Sequence, residues 1–122
     1  MQTNIKTGLV IGSSLFIIAC SSPGTIRKEK PDYELTSGKS SKEIAVCIAD
    51  LWENSGWFGS GLQPVLMRPT DKGHTVSKNN HTGGIAFLVD IDDTSTGSTT
   101  KLYKGGVIGY GKYLEAVRSC QN

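Results

Sequence analysis

Three aspartates in the run DIDDTSTGS form the densest group of chemically active side chains in this sequence: Asp90, Asp92 and Asp93. Clustered carboxylate oxygens suit Ca²⁺, but counted from Asp90 the run lacks the sixth-position glycine and twelfth-position glutamate of an EF-hand loop. Paired carboxylates also suit glycoside hydrolysis, although nothing else indicates a sugar cleft. We therefore expect a solvated strand end with an Asx-type turn rather than a calcium site.

The histidines and serines offer no complete catalytic or metal-binding set. His74 and His81 lie in or beside expected turns, without two further zinc ligands at a suitable spacing. No Gly-x-Ser-x-Gly elbow occurs, and the glycine pairs do not match a Walker or dinucleotide fingerprint. The sequence thus predicts no metal site, no cofactor and no catalytic residues. A small hydrolase that uses Asp90 and Asp92 is the less favoured alternative.

The first twenty residues have the pattern of a secretion signal that ends in a cysteine. Lys6 precedes a mainly apolar run over 8–18, which is too short to span a bilayer. The run IIAC, which ends at Cys20, resembles the lipobox of bacterial lipoproteins. That resemblance implies cleavage of residues 1–19 and acylation of Cys20. Two or three acyl chains, palmitate among them, would hold the mature protein on a lipid bilayer essentially permanently.

The same resemblance implies a location. Ser21 follows the cysteine, where aspartate would favour inner-membrane retention in enteric bacteria. The expected place is therefore the cell envelope of a Gram-negative source, on the outer membrane, facing the periplasm or the cell surface.

Charge and local motifs narrow the expected function. Without Lys6, one of thirteen Lys and Arg, the mature chain has twelve against eleven Asp and Glu, which argues against a nucleic-acid partner. The motifs LWE, VDIDDT and the CQ at 120–121 are similar to those of small bacterial lipoproteins described as hypothetical. We expect a non-enzymatic module that binds an envelope protein or glycan. The alternatives are a phage-type superinfection-exclusion lipoprotein and an inhibitor of a wall-lytic enzyme.

Two further cysteines, Cys47 and Cys120, remain once Cys20 is assigned to the anchor. An even pair in an exported protein commonly forms a disulfide. Each cysteine lies on the apolar stripe of a predicted helix, over about 41–54 and 110–120. Two helices side by side on one sheet face would bring the sulfurs together. The alternative is two inert buried thiols.

Between these helices the sequence predicts an antiparallel sheet of about four strands, the clearest over 85–92. The expected fold is α+β, with an N-terminal helix, the sheet, and a C-terminal helix packed on one face and joined to the first helix by the disulfide. Residues 20–39, rich in proline, glycine and charge, are expected to form a lipidated flexible tether. Residues 40–122 are expected to form the single globular domain.

Two aromatic residues, Trp57 and Phe58, stand between glycines in the expected loop after the first helix. Burial in the core would strongly stabilise so small a domain. Exposure would instead make them a hot spot for binding a partner. We favour burial, and the partner-binding role depends on the second arrangement.

Overall fold

The computed structural model describes residues 23–54, 64–79, 84–105 and 111–122. These ranges form an α+β fold with three helices and five strands. The helices are α1 (Pro23–Ile26), α2 (Ser41–Asn54) and α3 (Gly111–Ser119). The strands are β1 (Tyr33–Ser37), β2 (Val65–Pro69), β3 (Gly73–Asn79), β4 (Ile85–Thr94) and β5 (Gly97–Lys104).

The strands form one antiparallel sheet in the order β1-β5-β4-β3-β2. Helices α2 and α3 pack on one face, which we call the helix face. The opposite face, which we call the anchor face, carries α1. The expected α+β class is confirmed, but the sheet has a fifth strand, β1, and a short helix precedes the predicted first one.

Helix α2 follows from its capping residue and its apolar stripe. The backbone N–H of Glu43 donates to Ser40 Oγ at 3.2 Å, so Ser40 is the N-cap that the sequence predicts. Ile44, Ile48 and Trp52 recur every four residues and are fully buried. Truncating such a side chain to alanine typically costs about 2–5 kcal/mol. The stripe fixes α2 against the helix face of the sheet.

The anchor face is more apolar than a solvated sheet face would be. Leu88 lies on this face of β4 and is fully buried, as Tyr103 of β5 nearly is. Both belong to a second apolar cluster with Ile85 and Ile26 of α1. Burial on both faces explains the nearly continuous apolar run at the start of β4. The residues before β1 therefore complete the core.

The boundary that we expected between tether and domain is wrong. Residues 20–39 were expected to be a flexible tether, yet α1 packs on the anchor face and β1 is the edge strand beside β5. The composition of this segment is polar, but Ile26 is only 4% exposed. Apolar contacts of Ile26, Tyr33 and Leu35, together with a ladder of backbone hydrogen bonds to β5, order it. The domain thus includes residues from Pro23 onward.

The predicted disulfide is confirmed. Cys47 of α2 and Cys120, which follows α3, are joined with a Cα–Cα distance of 5.8 Å. Cys120 is 1% exposed, and Cys47 lies at the edge of the core. The bond links the two helices side by side on the helix face, as their apolar stripes predict.

Candidate functional site

The residues that the sequence singled out fall in different parts of the molecule. Cys20, Trp57, Phe58 and His81 lie outside the described residues. His74 stands on β3, on the helix face, and Asp90, Asp92 and Asp93 stand on β4. Asp90 and Asp93 belong to two separate polar clusters on opposite faces of the sheet.

The first cluster joins a serine, a histidine and an aspartate at the start of α2. Ser41 Oγ donates to Asp93 Oδ2 at 2.8 Å and lies 2.9 Å from His74 Nδ1. The backbone N–H of Ser41 donates to Asp93 Oδ1 at 2.8 Å. These bonds, that of the backbone N–H first, hold the pKa of Asp93 below its ordinary value.

The hydrogen-bond directions show that Ser41 and His74 are not arranged as a serine nucleophile and its general base. A carboxylate can only accept, so the single hydroxyl proton of Ser41 goes to Asp93. Ser41 Oγ must then accept from His74 Nδ1–H, whereas a catalytic serine gives its proton to the imidazole. Ser41 is also 1% exposed. The arrangement caps the N-terminus of α2, where a carboxylate is favourable, and it fastens α2 to β3 and β4.

We call the contact of Ser41 with His74 and Asp93 the joint. Its close packing requires the glycine that precedes His74. A Cβ on Gly73 would stand 2.0 Å from the backbone oxygen of Ile91 and 3.0 Å from Ser41 Cβ. Any side chain there would push β3 away from β4 and from the start of α2. Gly73 therefore belongs to the joint because of close approach, not because of a turn conformation.

The second cluster lies on the anchor face. Arg27, just after α1, donates from Nε to Asp90 Oδ2 at 2.7 Å and from Nη2 to Asp90 Oδ1 at 2.8 Å. The same Nη2 reaches Thr75 Oγ1 at 3.1 Å, and Thr75 donates to Asp90 at 2.7 Å. A forked, two-bond pair of this kind is the strongest geometry available to arginine and a carboxylate.

This ion pair is partly sheltered from water. The Arg27 side chain is 34% exposed and that of Asp90 is 16% exposed. The hydrogen bonds to Asp90 raise the pKa of Arg27 above its ordinary value. Burial in turn raises the pKa of Tyr103 beside them. Arg27 and Ile26 thus hold the N-terminal segment on the sheet through one polar and one apolar contact.

The edge strand β2 is the most open apolar part of the described residues. Leu66 is 47% exposed on the anchor face and Met67 is 43% exposed on the helix face. On α2, Val46 lines a shallow open depression together with Ser40, Lys42, Glu43 and Cys47. These surfaces offer exposed apolar contact area, and the charged side chains of Lys42 and Glu43 border the depression on α2.

Two further findings concern metal sites and membrane-spanning helices within the described part of the chain. In those four ranges, no three His, Cys, Asp or Glu side chains stand together so that they could hold a metal ion. None of the helices described there has the length and apolarity needed to span a bilayer.

Comparison with protein-family models, with curated proteins and with solved structures returns no match to this chain.

Sequence reasoning missed the contacts of Arg27 and Ser41. Arg27 stands in a charge-rich stretch, and 63 residues separate it from Asp90. Ser41 reads as the residue after an N-cap, and its partners on β3 and β4 become neighbours only in the folded sheet. The usable signal was the few apolar residues inside an otherwise polar segment: Ile26, beside Arg27, with Tyr33 and Leu35 further along.

Proposed function

We propose that this protein is an acylated envelope lipoprotein whose domain serves as a non-enzymatic binding module held against the bilayer surface. The observation that carries the proposal is the spacing between the lipobox cysteine and the domain. Cys20 precedes Pro23, the first residue of α1, by three residues. If Cys20 carries lipid, the linker between the lipid and the domain is therefore very short.

The length of an extended chain sets the largest possible distance between Cys20 and Pro23. An extended chain spans at most about 3.3–3.6 Å per residue, so three residues reach about 10 Å. Pro23 would lie within that distance of the acylated cysteine. Since α1 packs on the anchor face, this face would point toward the lipid headgroups and α2 and α3 would point away. Partners would then be restricted to molecules at, or close to, the same membrane.

The state of the carboxylates supports binding rather than hydrolysis. Asp90, one of the two aspartates on which the hydrolase alternative depends (Asp92 is the other), has both oxygens bonded to Arg27 and one also to Thr75. Asp93 has both oxygens bonded to Ser41. A general acid or base needs an accessible proton site, and these pairs would first have to break. An envelope protein or glycan remains the proposed partner, bound without chemical change.

Metabolic labelling with palmitate tests the anchor. We expect label on the wild-type protein and none on the Cys20→Ala variant, because Cys20 would be the acylated residue. The Cys47→Ala/Cys120→Ala variant is the matched control and should keep its label, since its cysteines carry no lipid. Label on Cys20→Ala, or an unlabelled wild-type protein in the same cells, would contradict the proposal.

A further inference from the structure

We infer that the edge of β2, which no strand among the described residues covers, pairs with β2 of a second copy of this chain about a two-fold axis centred on Met67. The orientation argued below rests on the proposed function, whereas the pairing itself rests on the backbone of the edge strand. The pairing would extend the five-stranded sheet into a continuous sheet of two copies.

The hydrogen-bond pattern of the β2–β3 hairpin shows which backbone groups of β2 point away from β3. At the turn, the N–H of Thr70 donates to Gly73 O at 2.8 Å. Antiparallel partners alternate between bonded and non-bonded pairs. The pair Arg68 and Thr75 is then bonded, and the residues on either side of Arg68 point outward. The outward residues of β2 are Val65, Met67 and Pro69.

Proline at the end of the strand agrees with this assignment. Pro69 has no N–H to give, and its outward position means that the ladder with β3 loses nothing. Pro64, just before β2, similarly limits the strand at its start. The available stretch is therefore short, and its outward donors are the N–H groups of Val65 and Met67.

Among registers centred on an outward residue, the one centred on Met67 uses every available donor. Met67 would face Met67 of the second copy and exchange two N–H to O bonds with it. Val65 would donate to the carbonyl of Pro69 across the axis, once in each direction, which adds two more bonds. A register centred on Val65 or Pro69 would run into a proline or past the strand end.

The side chains fit this register. Leu66 of one copy would face Arg68 of the other, so no two like charges stand directly opposite each other. Leu66 and Met67, which are 47% and 43% exposed, would become covered on the anchor and helix faces respectively. An apolar edge of this kind is otherwise a liability that proteins usually cover or charge.

Membrane geometry favours a second copy as the occupant. The two-fold axis that relates antiparallel edge strands is perpendicular to the sheet. It therefore leaves both anchor faces on one side and both helix layers on the other. Two chains acylated at Cys20 would reach the same bilayer from such a dimer, and confinement to one membrane raises their effective concentration. An extended segment of another protein would not bring a second acylated Cys20 to the same side of the sheet.

Disulfide trapping in intact membranes tests the pairing. The Cα atoms of a bonded antiparallel pair are about 5.5 Å apart, within disulfide range. We expect Met67→Cys to give a covalent dimer under mild oxidation, at least about tenfold more than Glu34→Cys, because the paired thiols have the higher effective concentration. Glu34 is the matched control, an exposed residue on the opposite edge strand β1. Equal trapping at both positions, or trapping of Met67→Cys only to another protein, would overturn the inference.

A second variant removes the pairing without adding a thiol. In Met67→Pro the lost N–H points away from β3, so the ladder within the chain stays complete, while two of the four bonds between copies disappear. We expect wild-type protein in mild detergent to sediment as a dimer and Met67→Pro as a monomer that retains the Cys47–Cys120 disulfide. A monomeric wild-type protein, or a dimeric Met67→Pro, would contradict the pairing.

Palmitate incorporation in the same cells separates the two proposals. A labelled protein that is not trapped refutes the pairing alone. A trapped protein without label refutes the lipid anchor alone and leaves the edge pairing in place.

Discussion

Replacing Cys47 and Cys120 together with alanine should lower the free energy of unfolding by about 2–5 kcal/mol, the range found for native disulfides in small exported domains. The bond joins positions 73 residues apart and ties α3 to α2. Helix α3 has nine residues, too few to be stable in isolation. Loss of the bond should therefore be felt first by α3 and by the contacts of Tyr113 and Val117 in the core.

Urea denaturation with and without reductant measures this effect. Reductant should lower the stability of the wild-type protein to nearly that of the double alanine variant and leave the variant itself unchanged. A variant as stable as the oxidised wild type would show that the bond does not hold the fold together. A reductant effect on the variant would show that the reductant acts elsewhere.

Breaking the ion pair between Arg27 and Asp90 should have the second largest effect on the free energy of unfolding. Hydrogen bonds to charged groups typically contribute about 1.5–3 kcal/mol each, and partial exposure lowers that figure. We expect Arg27→Gln and Asp90→Asn each to cost about 1–3 kcal/mol. The double variant should cost less than the sum, because either change alone already breaks the pair.

Lys28, the residue after Arg27, provides the control for this double-mutant cycle. Lys28 is exposed and carries the same charge, so Lys28→Gln should change stability by less than about 0.5 kcal/mol. Limited proteolysis gives a second readout, since a released segment would be cut faster before Tyr33. Strictly additive single changes, together with unchanged proteolysis, would show that the ion pair does not hold the N-terminal segment.

Local patterns predicted the parts of the fold that they determine. The capping serine Ser40 and the apolar stripe gave α2, and α3 followed from the stripe that leads to Cys120. The bond between Cys47 and Cys120 was predicted from their even number and from their places on two apolar helix stripes. The strand over 85–92 was predicted from the alternation of its side chains between the two faces of the sheet.

Long-range contacts determine what could not be predicted. Strand β1 is ordered by pairing with β5, and its own composition resembles that of a linker. The Arg27–Asp90 pair and the Ser41–His74–Asp93 joint need residues that are distant in sequence. The exposure of the β2 edge depends on strand order, which local periodicity does not encode. These same contacts turn the expected tether into part of the domain.

Quenching by lipid headgroups measures most directly whether the anchor face lies against the bilayer. A fluorophore would be attached to Lys28→Cys, after α1, or to Asp50→Cys, on the exposed side of α2, with the acylated protein in vesicles that carry a headgroup quencher. We expect strong quenching at position 28 and weak quenching at position 50. A flexible insertion of about 20 residues between Ser22 and Pro23 should remove the difference, because its root-mean-square span is about 25 Å. Equal quenching at both positions in the uninterrupted chain would contradict the proposal.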